Sequence, residues 1–156
     1  MAQILQAGDG APDFDLPTDT GQARLADLKG RTVVLYFYPK DDTPGCTNQA
    51  VGFSEAADDF AAAGASVIGV SKDSVAKHGK FRAKHHLRID LGSDKDSDAI
   101  ERYGAWVQKS MYGRSYMGID RSTFLIDGDG IIRRIWRKVR VPGHVAEVLA
   151  AVNELR

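Results

Sequence analysis

The chain has one cysteine, Cys46, in the segment YFYPKDDTPGCTNQAVGF at residues 36–53. With Thr43 as N-cap and Pro44 as the first helical residue, Cys46 is the third residue of a predicted helix. Free backbone N–H groups and the positive end of the helix dipole favour a thiolate there. A lone cysteine is more commonly a small buried apolar residue. The stretch PKDDTPG is too polar for ordinary core, so the pattern favours a reactive thiol.

Ionisation alone adds little to the reactivity of such a thiol. An unperturbed thiol with a pKa near 8.5 is a few per cent ionised at neutral pH, so complete ionisation gains roughly thirty-fold. A lower pKa also makes a weaker nucleophile. A fast enzyme therefore needs hydrogen-bond donors aimed at the charge that develops in the transition state. Thr43 lies three residues before Cys46, on the same side of the turn, and its hydroxyl suits this purpose as well as helix capping.

The elements that must position this thiol alternate between strand and helix. The run RTVVLYFYP (31–39) is β-branched and aromatic, which predicts a strand covered on both faces. The segment from Thr43 to Gly64 reads as one helix, and ASVIGVS (65–71) as a second buried strand. Further along we predict a helix SVAKHGKFRAKHH (74–86), a short strand IDLGSD (89–94) and a short helix DSDAIERYG (96–104) with Asp96 as a possible cap.

The C-terminal part reads as a hairpin followed by a helix. STFLID (122–127) and GIIRRIWRKV (130–139) flank the turn DGDG, and HVAEVLAAVNEL (144–155) is amphipathic. Together these elements predict one α/β domain over residues 1–156, with a mixed central sheet flanked by helices. The first 30 residues, with two short extended pieces, would be an N-terminal extension.

Composition narrows the possible partners and the compartment. Of 156 residues, 43% are hydrophobic, and 21 basic residues balance 21 acidic ones. A zero net charge argues against nucleic acid or an anionic membrane as the main partner. No window of 18 apolar residues and no signal-peptide pattern is present, so we expect no membrane span and no export. A single cysteine suits a reducing compartment, and the prediction is a cytoplasmic protein.

Several other motifs are better explained as ordinary structure. Gln49 stands where a C-x-x-C pair would need its second cysteine, and DKDSD (94–98) lacks the glycine and glutamate of a calcium loop. The basic run RRIWRKVR (133–140) is more typical of a solvated strand face than of a nucleic-acid site. No metal site is expected, because the histidines lack ligand spacing and favour solvated or capping roles; they are His78, His85, His86 and His144.

The residues around the cysteine carry a resemblance to a known family. P-K-D-D-T-P-G-C, from Pro39 to Cys46, resembles the P-x-x-x-T-x-x-C signature of the peroxiredoxins. The segments YFYPKDDTPGCTNQA, RSTFLIDGDG and WRKVRVPGHVAEVL are similar to the peroxiredoxin Q branch, also called bacterioferritin comigratory protein. The resemblance extends from about Pro12 to the end of the last helix. It implies a thioredoxin-like fold, a monomer, and a peroxidase that reduces hydrogen peroxide and organic hydroperoxides without metal or haem.

The resemblance also implies roles for individual residues. Cys46 would be the peroxidatic nucleophile and Thr43 would hydrogen-bond peroxide and thiolate. Pro39 would shield the thiolate from water, and the family's active-site arginine falls on Arg121.

These roles fit one chemical step. When a thiolate attacks one peroxide oxygen, negative charge grows on the leaving oxygen, and Arg121, Thr43 and the N–H groups of Gly45 and Cys46 would stabilise it. Taken alone, Arg121 would more often be an ion-pairing residue. Gln49, one turn after the cysteine, would orient Arg121, although a solvated glutamine explains its presence equally well.

The sequence departs from the family at its second cysteine. Many peroxiredoxin Q proteins place it five residues after the first, where this chain has Val51, or in the following helix, where residues 74–86 contain none. We therefore predict a one-cysteine form reset by an external thiol, with thioredoxin, glutaredoxin and glutathione as candidates. Its first helix would stay folded on oxidation, and its sulfenic acid would be more exposed to over-oxidation. The alternative is a non-enzymatic redox sensor or chaperone-like binding protein switched by Cys46 oxidation.

Overall fold

The structure is a computed structural model that describes residues 4–155. The strands are β1 (Asp15–Thr18), β2 (Gly21–Arg24), β3 (Thr32–Phe37), β4 (Ala65–Ser71), β5 (Asp90–Ser93), β6 (Trp106–Met111), β7 (Arg114–Ile119), β8 (Ser122–Ile126) and β9 (Ile132–Trp136). The helices are α1 (Pro44–Glu55), α2 (Ala57–Ala62), α3 (Val75–His85), α4 (Ala99–Arg102) and α5 (His144–Glu154), with a 3-10 turn at Leu25–Leu28.

Seven strands form one mixed sheet in the order β2-β1-β5-β4-β3-β8-β9. Strands β3, β4 and β5 run parallel, as helical crossovers require, whereas β8 and β9 form an antiparallel hairpin beside β3. The β1–β2 hairpin joins the β5 edge. The predicted α/β fold with a mixed central sheet is therefore confirmed, and the predicted N-terminal extension supplies the last two strands at one side of the sheet, with β2 at the edge.

Strand β3 lies at the centre and is covered on both faces. Successive side chains of a strand point to opposite faces. Val34 and Tyr36 belong to the buried cluster that includes residues of α1, α2, α3 and α5, whereas Leu35 and Phe37 belong to a second cluster that includes residues of α4. The continuous apolar run predicted this two-sided burial. It fixes the carboxyl end of β3, which leads directly to Cys46.

The single helix predicted from Thr43 to Gly64 is divided in two. Helix α1 ends at Glu55, Ala56 leaves helical geometry at φ −91° and ψ 5°, and α2 follows. The bend lets both segments pack inward, because the rings of Phe53 in α1 and Phe60 in α2 are both buried, with centroids 5.7 Å apart.

The predicted cap of α4 is wrong. Asp96 does not cap the helix; the buried carboxylate of Asp94 accepts hydrogen bonds from the N–H groups of Ala99 at 3.1 Å and Ile100 at 2.8 Å. The helix therefore begins at Ala99. Lys72 Nζ lies 3.4 Å from the same carboxylate and compensates its buried charge.

The sequence patterns missed the β6–β7 hairpin. It forms a separate two-stranded sheet closed by Tyr112 and Gly113, both at positive φ, as a type I′ turn requires. Most of its side chains are exposed, so no apolar alternation marks the strands. Across residues 4–155, none of the helices has the length and apolar character needed to span a bilayer.

Candidate active site

Cys46 is the third residue of α1, at the carboxyl end of the central strand. Thr43 precedes the helix in extended geometry, Pro44 begins it, and the N–H of Thr47 donates to the Thr43 carbonyl at 2.8 Å. The cysteine is a free thiol and only 2% exposed. The first turn of the helix therefore presents the thiol at the edge of the core, in the position predicted from the Thr-Pro signal.

Arg121 reaches the thiol from the neighbouring strand. It immediately precedes β8, whose Ser122 pairs with Phe37 at the end of β3. Its Nη2 lies 3.4 Å from Cys46 Sγ, and its Nη1 donates to Gln49 Oε1 at 2.7 Å. The guanidinium is thereby held between the thiol and a side chain one helical turn further along.

Gln49 is fully buried. The alternative interpretation of this residue as a solvated glutamine is therefore wrong. Its Oε1 accepts the Arg121 hydrogen bond, whereas its Nε2 has no partner among residues 4–155. A buried amide donor without a partner costs about 1 to 3 kcal/mol. The side chain therefore contributes orientation of Arg121 and one unused N–H donor.

Thr43 is the N-cap residue of α1, as predicted, but its side chain does not form the expected capping hydrogen bond. Its hydroxyl donates to the Lys40 carbonyl at 2.8 Å, and no side-chain cap bond forms. Asp42, at φ +63°, turns the chain so that this carbonyl lies within reach. Because the hydroxyl proton is used here, Thr43 offers the site its oxygen lone pairs rather than a donor for the thiolate. Thr43 also leaves the N–H groups of Gly45 and Cys46 uncapped.

Gly45 lies directly against the arginine. A Cβ at this position would be 3.2 Å from Arg121 Nη2, tighter than an ordinary contact. A side chain here would require the guanidinium to shift by a few tenths of an ångström. Pro39 lies in the preceding loop and is exposed, so its assignment as a shield stays a prediction.

Three buried polar side chains behind the loop were missed in the sequence. Asp41 accepts a hydrogen bond from the Tyr38 hydroxyl through one carboxylate oxygen, and His78 Nδ1 lies 2.6 Å from the other. His78 Nε2 lies 3.0 Å from the Gly92 carbonyl. Burial, followed by the nearby Tyr36 and Asp41, raises the pKa of Tyr38, so the phenol remains a donor. The solvated or capping role predicted for His78 is wrong.

This network ties the loop before Cys46 to the rest of the fold. The N–H of Asp41 donates to Asp73 at 2.7 Å, and Ser71, at the end of β4, donates to the same Asp73 oxygen at 2.9 Å. The loop is therefore anchored to β4, α3 and β5 together. One signal in the sequence pointed to it: His78 lies three residues before the buried Phe81 on one face of α3.

His144 is also buried, at the start of α5. Its Nε2 lies 2.8 Å from Thr123 Oγ1, and its ring packs edge-on against Phe53 and Trp136. Burial lowers the pKa of His144; Glu147 opposes this shift, and Arg121 adds to it. A neutral imidazole therefore packs near the active-site arginine. The solvated or capping role predicted for this histidine is wrong as well.

Comparison with a family model matches residues 7–135 to the AhpC/TSA family. A putative peroxiredoxin Bcp of Coxiella burnetii is 52% identical over 93% of this chain and 97% of its own length. Peroxiredoxin Bcp of Bacillus subtilis is 47% identical over 97% of each chain.

Solved structures give the same picture. The bacterioferritin comigratory protein of Xanthomonas campestris, described in connection with alkyl peroxide reduction, superposes with a TM-score of 0.87 at 40% identity over 91% of each chain. A cysteine-to-serine variant of Xylella fastidiosa PrxQ superposes with a TM-score of 0.92 at 35% identity over 98% of each chain.

Proposed function

The chain belongs to the AhpC/TSA family, in its peroxiredoxin Q or Bcp branch, and on this basis we propose that it reduces hydrogen peroxide and organic hydroperoxides at Cys46. The observation that carries the proposal is the position of Arg121, with Nη2 3.4 Å from the sulfur of a lone, buried cysteine at a helix N-terminus. The alkyl peroxide reduction described for the Xanthomonas campestris relative supports the inclusion of organic hydroperoxides.

The first step transfers one oxygen atom to sulfur. The Cys46 thiolate attacks the nearer peroxide oxygen, an S–O bond forms as the O–O bond breaks, and the protein is left as a sulfenic acid. The other oxygen leaves with the electron pair and takes a proton to become water or an alcohol. Arg121 and the N–H groups of Gly45 and Cys46 stabilise the negative charge on that leaving oxygen.

The surrounding residues position the reactants. Gln49 fixes the guanidinium of Arg121 through the 2.7 Å hydrogen bond, and its unused Nε2–H is a further donor at the site. Thr43 accepts a hydrogen bond from the hydroxyl end of the peroxide through a lone pair, since its own proton is held by Lys40. The family resemblance assigns Pro39, in the loop before the helix, to limiting the access of water to the thiolate.

The second step requires a thiol from another molecule. Val51 stands where many relatives carry the resolving cysteine, and the full sequence has no other cysteine. An external thiolate attacks the sulfenic sulfur, and the hydroxyl leaves with a proton as water. A second thiol then releases Cys46 as a thiol and the donor as a disulfide. Thioredoxin, glutaredoxin and glutathione are the candidate donors.

No disulfide forms within the chain in this cycle, so α1 has no reason to unwind. Residues five apart in a helix rise about 7.5 Å, which exceeds the Cα separation of about 7 Å that a disulfide tolerates. Relatives with that pair must open the helix, whereas this chain keeps it folded. The same lack of a partner leaves the sulfenic acid open to a second peroxide.

The proposal includes a monomer acting in the cytoplasm. A single cysteine suits a reducing compartment, and the balanced charge gives no reason to expect nucleic acid or an anionic membrane as partner.

The test is peroxide consumption by the purified protein with dithiothreitol, glutathione, glutaredoxin and thioredoxin as donors, using hydrogen peroxide and one alkyl hydroperoxide. We expect repeated turnover with at least one donor and none in Cys46→Ser. Stoichiometric consumption with every donor would favour the sensor alternative. The contact of Arg121 with the Cys46 sulfur favours the enzyme over the redox sensor, since a sensor that reacts slowly with peroxide needs no donor aimed at the leaving oxygen.

A further inference from the structure

Large apolar side chains are exposed on the β6–β7 hairpin. Tyr112 is 97% exposed, Met111 57%, Met117 50% and Tyr116 45%. Elsewhere in residues 4–155, Ile4 is the remaining large apolar side chain with comparable exposure. Tyrosine and methionine are frequent in binding surfaces, because they supply contact area with few or easily adapted rotamers. Their concentration in one hairpin marks a surface suited to a protein partner.

The hairpin contributes little to the core. It pairs with no strand of the seven-stranded sheet. The cross-strand register places Met111 and Tyr116 on one face and Met117 on the other, with Tyr112 at the tip. A two-stranded hairpin alone gains little stability in water, so core packing does not account for these apolar side chains.

The hairpin is also positively charged. From Trp106 to Ile119 it contains Lys109 and Arg114 and no acidic residue. Neither takes part in any salt bridge formed within residues 4–155. In a chain whose net charge is zero, such unpaired charge around exposed apolar groups favours an acidic partner.

A second basic segment, residues 137–140, connects the hairpin to the active site. The Val139 N–H donates to the Arg121 carbonyl at 2.9 Å, and Arg137 Nη1 donates to the Gly104 carbonyl at 3.3 Å, just before β6. Lys138 and Arg140, on either side of Val139, are exposed and form no salt bridge in the described part of the chain. We call Lys109, Arg114, Lys138 and Arg140 the basic margin.

The basic run 133–140 contains two kinds of residue, those that form salt bridges and those that do not form one within residues 4–155. Arg133 pairs with Asp127 and Arg134 with Glu147, which fits the solvated strand face predicted from the sequence. Beyond β9 the same run supplies Lys138 and Arg140, which flank the residue bonded to the Arg121 carbonyl and form no salt bridge within residues 4–155.

We infer that the β6–β7 hairpin and the basic margin form the docking surface for the reductant, an acidic protein that carries a dithiol; this rests on the proposed function. The resetting step forms an S–S bond of about 2.05 Å to Cys46, whose side chain is only 2% exposed. The donor protein must therefore contact the surface that surrounds Cys46. The hairpin ends at Ile119, two residues before Arg121, which places it where such a partner arrives.

The chemistry of that encounter is a two-electron reduction. The donor thiolate attacks the sulfenic sulfur, the S–O bond breaks, the hydroxide takes a proton from solvent and leaves as water, and a mixed disulfide joins the two proteins. The donor's second thiolate then attacks its own sulfur in that bond, Cys46 leaves as the thiolate, and the donor departs as a disulfide. A small thiol follows the same chemistry without touching the hairpin, which provides an internal control.

The experiment compares a thioredoxin of negative net charge with dithiothreitol as donor in steady-state peroxide reduction. The test variants are the double substitution Lys109→Glu with Arg114→Glu, and Tyr112→Ser. The matched controls are Lys29→Glu and Ile4→Ser. Lys29 precedes the first residue of β3, whereas Cys46 follows the last, so the two lie at opposite ends of that strand. We expect kcat/KM for thioredoxin to fall at least about tenfold in the double variant, with a weaker dependence on salt. The dithiothreitol rate should be unchanged in all variants.

Each alternative outcome is distinguishable. An unchanged kcat/KM for thioredoxin overturns the docking surface and leaves the peroxidase intact. An equal loss with dithiothreitol also overturns it, because the hairpin would then act on the site itself. A wild-type dimer that the variants convert to a monomer, with thioredoxin kinetics unchanged, would assign the hairpin to a second copy. Failure of the wild type to turn over with every thiol donor, thioredoxin and dithiothreitol included, contradicts the proposed function instead.

Discussion

The two sides of the Cys46 site are built in opposite ways. On one side the Tyr38–Asp41–His78 network is buried and hydrogen-bonded, and it fixes the loop that leads into α1. On the other side the β6–β7 hairpin leaves four large apolar side chains exposed, and its two cations form no salt bridge within residues 4–155. The first arrangement holds a nucleophile in place, and the second leaves a surface available to a partner. The division matches a cycle whose first step occurs inside the chain and whose second step needs another molecule.

Arg121 joins the two sides, so its replacement should have the largest effect among variants that keep the cysteine. We expect Arg121→Gln to lower kcat/KM for hydrogen peroxide by about 10²- to 10³-fold, because an aligned donor to the leaving oxygen is lost. The control is Arg133→Gln, whose guanidinium pairs with Asp127 at the surface. Peroxide kinetics with dithiothreitol measure the effect. A loss below about tenfold in Arg121→Gln would remove Arg121 from the chemistry.

Asp41→Ala should disrupt the buried Tyr38–Asp41–His78 network. The carboxylate holds both Tyr38 and His78, and its removal leaves two buried polar groups without their partner. We expect the free energy of unfolding to fall by about 3 to 5 kcal/mol, measured by urea denaturation. Asp58→Ala removes a carboxylate that also pairs closely, with Arg88 at 2.6 Å, but at the surface, and should leave stability nearly unchanged. Equal effects of the two variants would contradict the anchoring role of Asp41.

The smallest expected effect is on the pH dependence of folding stability. It tests whether a second buried histidine, His144, also couples its burial to the stability of the fold. Burial lowers the pKa of His144 in the folded protein, so the unfolded chain binds its proton more readily. The stabilisation from neutral His144 is therefore complete above the unfolded pKa of about 6.5 and is lost as pH falls through the lower folded value. Urea denaturation of the wild type and His144→Gln across this range should show a shallower pH dependence in the variant. Identical slopes would mean that His144 does not couple folding to pH.

The strength of burial explains which elements the sequence predicted. Strand β3 and β4 are covered on both faces, so their apolar runs predicted them almost to the residue. The β6–β7 hairpin buries little, and nothing in its residue pattern distinguishes it from a loop. Local spacing favours Asp96 as the cap of α4, whereas the carboxylate of Asp94, two residues earlier, accepts the hydrogen bonds from the first turn. Such choices depend on the path of the chain and not on spacing.

The site divides in the same way. The placement of Cys46 followed from local signals, and Arg121, 75 residues away, was assigned through the family resemblance rather than through spacing. The direction of the Thr43 hydroxyl depends on the left-handed geometry of Asp42, which no sequence pattern displayed. The Asp41–His78 pair joins residues 37 apart. Only the packing of α3 against the loop brings them together.

The central claim is that Cys46 alone performs the peroxide step and that another molecule resets it. The most direct test is the peroxide consumed per chain, with and without a thiol donor, in wild type and Cys46→Ser. The account predicts a fast phase of one equivalent consumed by the reduced wild type without donor, followed only by slow over-oxidation of the sulfenic acid. It predicts continuous consumption when the donor is added, and none in either condition for Cys46→Ser. Continued consumption by Cys46→Ser, or a wild type that stops at one equivalent with every donor, would contradict it.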